Sequence, residues 1–179
     1  SGVVVTIQTP TGTVTTTTNA SGQYTFTNLV AGTYTVTFST PTGYQPTLSN
    51  VGSDTTDSDP VNGQVVVTIT NGSSNTTTDA GFWRPATLGD YVWEDLNQNG
   101  IQDVGEPASQ GITVTLKTVT GTVTTTTDAN GHYTFTNLIS GTYSLTFTAP
   151  SGYQWTPLYS TNTTTSNDSN VNPATGSTG

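Results

Sequence analysis

Gly111-Ile-Thr-Val-Thr-Leu-Lys-Thr118, followed after Val119 by Thr120-Gly-Thr-Val-Thr-Thr-Thr-Thr127, alternates apolar side chains with threonine. A period of two puts Ile112, Val114 and Leu116 on one face and threonines on the other, as in a half-buried strand. The wording has occurred before: Val3 to Thr9 alternates in the same way, and Thr11 to Thr18 is identical to Thr120 to Thr127. Tyr24-Thr-Phe-Thr-Asn-Leu29 likewise returns as Tyr133 to Leu138. Gly2, Gly32 and Gly43 match Gly111, Gly141 and Gly152 at a constant offset of 109. After Gln45 and Gln154 the register slips by two, so that Asp57-Ser58 aligns with Asp168-Ser169. So long a period marks tandem domains rather than a tight solenoid.

Further strands follow from the same pattern. Val14 to Thr18 and Val123 to Thr127 form the next strand of each copy. The turns Asn19-Ala-Ser-Gly22 and Asp128-Ala-Asn-Gly131 lead into Tyr24 to Phe26 and Tyr133 to Phe135. Thr33 to Phe38 and Thr142 to Phe147 come next. Gln64 to Thr70 adds a strand to the first copy, Ala80-Gly-Phe-Trp83 closes it, and Leu88 to Trp93 opens the second. Roughly six or seven strands per copy predict an all-β fold of tandem sandwich repeats, immunoglobulin-like or prealbumin-like.

The first repeat is read as residues 1–86 and the second as 87–179. The first has no counterpart of Thr87 to Gln110; the second has none of Gln64 to Arg84. A window cut from a longer array is the expected reason. The sharper alternative is that neighbouring copies supply the absent strands, as between fibre subunits. Unpaired edges then predict self-association. The join, Phe82-Trp-Arg-Pro-Ala-Thr-Leu88, is short, and Pro85 limits its freedom.

Composition bounds the partners. With 45 Thr among 179 residues, no Cys and a net charge of −9, the chain is β-prone and has no disulfide to lean on. Two basic residues, Arg84 and Lys117, make no patch to neutralise phosphates, so nucleic acid and anionic membrane surfaces are poor partners. No apolar run is long enough for a transmembrane helix. Ser1-Gly-Val3 opens directly into a strand, so an exported protein would have lost its signal or carry it upstream.

Near the start of the second repeat lies Asp95-Leu-Asn-Gln-Asn-Gly-Ile-Gln-Asp-Val-Gly-Glu106, which fills every specified position of a calcium-binding loop. Asp95, Asn97 and Asn99 offer side-chain oxygens, Gly100 makes the sharp turn, Ile101 offers its carbonyl, Asp103 follows, and Glu106 is the bidentate acid. Asp90, Glu94, Asp95, Asp103 and Glu106 crowd into 17 residues that contain no basic side chain. Converging carboxylates repel one another, and a divalent cation with oxygen ligands removes that conflict. Short β-prone flanks, with Pro107 and Gly111 soon after, leave no room for the helices of an ordinary EF-hand. The competing interpretation is a polar Asx-rich turn.

Leu88-Gly-Asp-Tyr-Val-Trp-Glu-Asp to Glu106, then Gly111-Ile-Thr-Val-Thr-Leu116, resembles the opening of the B-type repeat of Ser-Asp-repeat surface adhesins. Asp128-Ala-Asn-Gly-His-Tyr-Thr-Phe135, Leu138, Gly141-Thr-Tyr143, Gly152-Tyr153, Asp57-Ser-Asp59 and Asp79-Ala-Gly81 fit the rest, shared more loosely with collagen-adhesin B-type domains. The resemblance spans nearly the whole chain. It implies a calcium-bound β-sandwich acting as a structural spacer, stalk or fibre subunit of an extracellular bacterial surface protein, next to other repeats or copies of itself. It also implies more than one calcium, with Asp90, Asp54, Asp57, Asp59 and Asp168 as second-site candidates. The Lys-to-Asn cross-link of collagen-adhesin domains is not expected, because the only lysine, Lys117, aligns with Gln8.

An enzyme is not indicated. His132 aligns with Gln23, so no histidine site repeats, and neither a Cys nucleophile nor zinc spacing is present. The alternative function is a module binding carbohydrate or a host protein. Trp83, Trp93 and Trp155, with Tyr153 and Tyr159, are its stacking candidates; Trp83 and Trp93 sit in strand-like contexts and read better as core. Sequons at Asn19, Asn71, Asn75, Asn162 and Asn167 occur at the rate that a Ser- and Thr-rich chain gives by chance.

Overall fold

The computed structural model describes residues 1–158 and 167–178. Two compact units, Ser1–Pro85 and Ala86–Gly179, divide the chain. Among the described residues there are only strands, turns and irregular segments, and no helix long and apolar enough to cross a membrane.

Unit 1 contains β1 (Val4–Thr9), β2 (Gly12–Thr17), β3 (Gly32–Phe38), β4 (Gln45–Pro46), β5 (Gln64–Ile69) and β6 (Phe82–Trp83). The main sheet has the order β2-β1-β3-β5, every pair antiparallel, and β4 pairs with β6 in a second, short sheet. Alternation sets what is buried: Val5 and Ile7 are 0% and 1% exposed, and Tyr34, Val36 and Phe38 of β3 join them. Each such side chain contributes about 1.5–3 kcal/mol through burial. Val65, Val67 and Ile69 of β5, with Phe82 and Ala80, pack against that cluster.

Unit 2 contains β7 (Ala86–Tyr91), β8 (Thr113–Thr118), β9 (Gly121–Thr126), β10 (His132–Leu138) and β11 (Ser144–Phe147). Its sheets are β11-β8-β9 and β10-β7, again antiparallel. Val114 and Leu116 are fully buried among Tyr133, Phe135, Leu145 and Phe147. The hairpins of the two units superimpose in register: Ile7 faces Val14 as Leu116 faces Val123. Edge-to-face rings also repeat, Tyr24 on Phe38 at 5.4 Å and Tyr133 on Phe147 at 5.4 Å. Burial, then nearby Asp79 and Asp59, pushes the Tyr24 phenol up to about 12, while burial and Asp90 do the same for Tyr133, also to about 12.

Three expectations need correction. Among the described residues six strands form in unit 1, within the expected six or seven, and five in unit 2, one fewer than expected. Tyr24 to Phe26, predicted as a strand, belongs to none, although the identical Tyr133 to Phe135 lies inside β10. A strand needs a partner to satisfy its backbone, and β7 provides one only in unit 2. Third, unit 2 does begin a counterpart of β5. Phe147 N–H donates to Gly176 O at 2.8 Å, as Phe38 N–H donates to Gly63 O at 2.8 Å, and Thr178 N–H then reaches Leu145 O at 2.9 Å.

Candidate metal centre

The segment from Asp95 to Glu106 folds back on itself through its own side chains. Asp95 Oδ1 accepts the Asn99 N–H at 3.3 Å and its Oδ2 accepts the Gly100 N–H at 2.8 Å. Glu106 spans the loop: Oε1 accepts the Leu96 N–H and Oε2 the Asp103 N–H, both at 2.9 Å. Asp103 Oδ2 takes the side-chain amides of Asn97 and Asn99, each at 2.8 Å. The oxygens of those amides accept N–H groups in turn, Asn97 Oδ1 from Asn99 at 3.1 Å and Asn99 Oδ1 from Ile101 at 2.7 Å. Gly100 turns the chain with φ of 78°, and a Cβ there would stand 2.6 Å from Pro157 O, so only glycine fits.

Main-chain bonds pin this loop to the segment that follows β11. Gln102 N–H donates to Asn167 O at 2.8 Å, Ser169 N–H donates to Gly100 O at 2.9 Å, and Ile101 bridges Asp168. The Thr156 hydroxyl donates to Asp95 Oδ2. Burial pushes the Asp95 carboxyl up, but hydrogen bonds from Thr156, Gly100, Gln98 and Asn99 outweigh it and hold the group below its ordinary value. Five sequence-predicted ligands therefore share one hydrogen-bonded loop, and the main chain of Ile101 sits at its anchor point.

The donor set is oxygen only: three carboxylates, two amides and one main-chain carbonyl. That suits a hard divalent ion of flexible coordination, and the loop contains no basic residue to oppose it. Among the described residues no three carboxylates, imidazoles or thiolates are close enough to hold a metal by themselves. Any ion in the loop would therefore depend on Asn97, Asn99 and the Ile101 carbonyl as well. The amide N–H groups now on Asp103 supply the positive pole that this carboxylate otherwise lacks.

The weaker candidates separate. Asp168 is buried beside Ile101, with one oxygen on the Asn170 side-chain amide at 3.2 Å. Asp90 lies on β7 opposite Tyr133, away from the loop's hydrogen bonds. Asp54, Asp57 and Asp59 belong to unit 1, where they meet Asp79. Buried Asp59 accepts the Asp79 N–H, and Asp57 Oδ1 is buried without a hydrogen-bond partner. Burial, then repulsion from Asp59, Asp54 and Asp57, raises the Asp79 carboxyl above its ordinary value.

Sequence reasoning missed Asp79 as a member of that cluster and Thr156 as a partner of Asp95. Thr156 lies 61 residues from Asp95 and carries no local signal. Asp79 aligns with no residue of the second copy, so the repeat comparison passed over it. The aromatic candidates are mostly occupied: Trp155 packs edge-on against Phe147 at 6.3 Å, and Trp83 donates its indole N–H to Pro46 O at 3.1 Å. Trp93 stacks on Tyr91, and Tyr153 is 53% exposed. Tyr159 and the Asn162 sequon lie outside the described residues.

Comparison with known proteins bears on the whole chain. The model of a family described as the SdrD B-like domain matches residues 1–82 and again 86–179. The chain is 48% identical over 181 aligned positions to serine-aspartate repeat-containing protein D of Staphylococcus aureus (strain Newman), covering 98% of the chain and 14% of that protein. It is 48% identical over 169 positions to serine-aspartate repeat-containing protein F of Staphylococcus epidermidis (strain ATCC 12228 / FDA PCI 1200), covering 90% of the chain and 10% of that protein. The chain thus spans a small fraction of the length of these curated relatives.

Proposed function

This chain belongs to the SdrD B-like domain family, and from that premise we propose that it is a calcium-stabilised spacer within a longer surface protein. The family's repeats belong to non-enzymatic adhesins of the bacterial cell surface. Within that setting the spacer role rests on one observation: the Asp95–Glu106 loop is tied to the segment after β11 by Thr156, Asn167 and Ser169. A cation held by Asp95, Asn97, Asn99, Ile101, Asp103 and Glu106 would neutralise three acids at that junction and fix both segments together. Calcium supplies charge and coordination here, not reactivity.

The size of the effect decides whether this matters. Metal that binds only the folded state adds about 2.7 kcal/mol at a hundredfold excess over Kd. In a unit of this size about 1 kcal/mol moves the midpoint by 4–8 °C. With no disulfide available, that is a large share of stability. Binding of a carbohydrate or a host protein is less well supported, because Trp155, its best stacking residue, packs on Phe147.

The test is thermal unfolding of the chain in calcium and in excess chelator, beside an Asp95→Ala/Glu106→Ala variant. The expected result is a calcium-dependent rise of about 10–20 °C in one transition, lost in the variant. A transition that ignores calcium would leave the loop a polar turn.

A further inference from the structure

Asparagine is followed by glycine at Asn62, Asn71, Asn99 and Asn130. With no Cβ to hinder it, the glycine main-chain nitrogen can approach the carbonyl carbon of the preceding side chain. The fold treats these pairs differently. Asn99 has both ends of its amide occupied: Oδ1 accepts the Ile101 N–H at 2.7 Å and Nδ2 donates to Asp103 at 2.8 Å. The Gly100 N–H is itself committed to Asp95 Oδ2 at 2.8 Å. Beside Asn130, the Gly131 N–H donates to Asp128 O at 3.0 Å, and Gly131 is buried against Val92 O. The Gly63 N–H has no acceptor among the described residues, but its turn is clamped. Val61 and Gln64 exchange main-chain bonds at 2.9 and 3.1 Å, and Phe38 N–H holds Gly63 O at 2.8 Å, fixing Asn62 at φ of 53°.

Asn71 is the exception. Asn71 and Gly72 are exposed, and among the described residues neither the Asn71 amide nor the Gly72 N–H has a hydrogen-bond partner. A Cβ on Gly72 would meet nothing within 4 Å. The turn is closed by Ser73 N–H on Thr70 O at 3.1 Å, but residues 74–78 make no main-chain bond to other main chain. The nucleophile and its target are therefore both unoccupied, on a turn held from one side only.

We infer that Asn71-Gly72 is a site of spontaneous covalent modification, where the asparagine deamidates through a cyclic imide. The Gly72 nitrogen attacks Asn71 Cγ and gives its proton to solvent, the bond from Cγ to Nδ2 breaks, and ammonia leaves. Water then opens the ring at either carbonyl, leaving an aspartyl or isoaspartyl residue. One water is consumed and one ammonia released, with no change of oxidation state. Either product adds a negative charge to a chain already at −9. The isoaspartyl form also lengthens the main chain by one carbon between β5 and β6. The inference concerns unit 1 and does not use the calcium reading.

The experiment incubates the full chain with calcium at mildly alkaline pH, beside the same chain unfolded in urea. Peptide mass mapping follows amide-to-acid conversion at each pair, and enzymatic methylation detects the isoaspartyl product. In the folded chain Asn71 is expected to convert at least about tenfold faster than Asn62, Asn99 or Asn130, and in urea the rates should converge. Similar rates in the folded chain, a different leading pair, or an equal lead for Asn71 after unfolding would overturn the inference. An Asn71→Gln chain, whose longer side chain must close a larger ring, should lose the fast release of ammonia. Release at the original rate would also count against the assigned site.

Discussion

Unit 1 pairs β3 with the full length of β5 and leaves residues 24–29 unpaired, whereas unit 2 pairs β10 with β7 and, among the described residues, lines the edge of β11 away from β8 with residues 176–178 alone. Burial follows these partners. Tyr34, beneath β5, is 3% exposed, while its counterpart Tyr143 is only half-buried. Phe135, inside β10, is 5% exposed, while Phe26 is half-buried. Both tyrosines still tether their own turns, Tyr34 to Val30 O at 2.7 Å and Tyr143 to Ile139 O at 2.8 Å. Local contacts are thus carried by the repeated residues, and sealing of the core depends on which neighbouring strand is present.

The largest expected effect that sharpens this contrast is in the core. Phe135→Ala should cost about 3–5 kcal/mol, and Phe26→Ala clearly less because its ring is already partly wet. Equal losses in chemical denaturation would mean that the two edges are covered alike. Next comes Gly89→Val, which forces β7 away from β10 and should cost about 1–3 kcal/mol in unit 2. It should also speed amide exchange at residues 132–138 towards that at residues 24–29; unchanged exchange would show that β7 does not seal β10.

Smaller still is Thr156→Val, which removes the hydroxyl donor to Asp95 and should cost about 1 kcal/mol, read as a lower midpoint of unit 2 alone. The least effect is that of acid. Asp95 is held below its ordinary value, so its contribution is complete above the ordinary carboxylate range and lost as pH falls through the lower, folded value. Asp79 is raised, so the folded state takes its proton first and unit 1 gains stability as pH falls through that range. Between neutrality and about pH 4 the midpoint of unit 1 should therefore rise slightly, and a fall would refute an Asp79 carboxyl raised by burial and by its acidic neighbours.

Much of this was legible from the residues. Alternating Thr and aliphatic residues marked β1, β2, β8 and β9 as strands, because period-two burial is written locally; their pairing into hairpins came from the structure. That residues 95–106 close on themselves as one loop was also legible, since Asp, Asn and Gly cluster there. Residues 24–29 were not, because one hexapeptide cannot announce whether a partner strand is present. Thr156 and Asp79 escaped for a related reason: both reach their carboxylate partners only after distant segments have folded together.

The most direct test of the account is amide exchange on the full chain with calcium and after chelation, resolved by unit. It predicts that chelation deprotects Leu96, Gly100, Ile101, Asp103 and Ser169 in unit 2 and leaves Ile7 and Val36 of unit 1 unchanged. Equal loss of protection in both units, or none in either, would contradict a metal that acts through the Asp95–Glu106 loop.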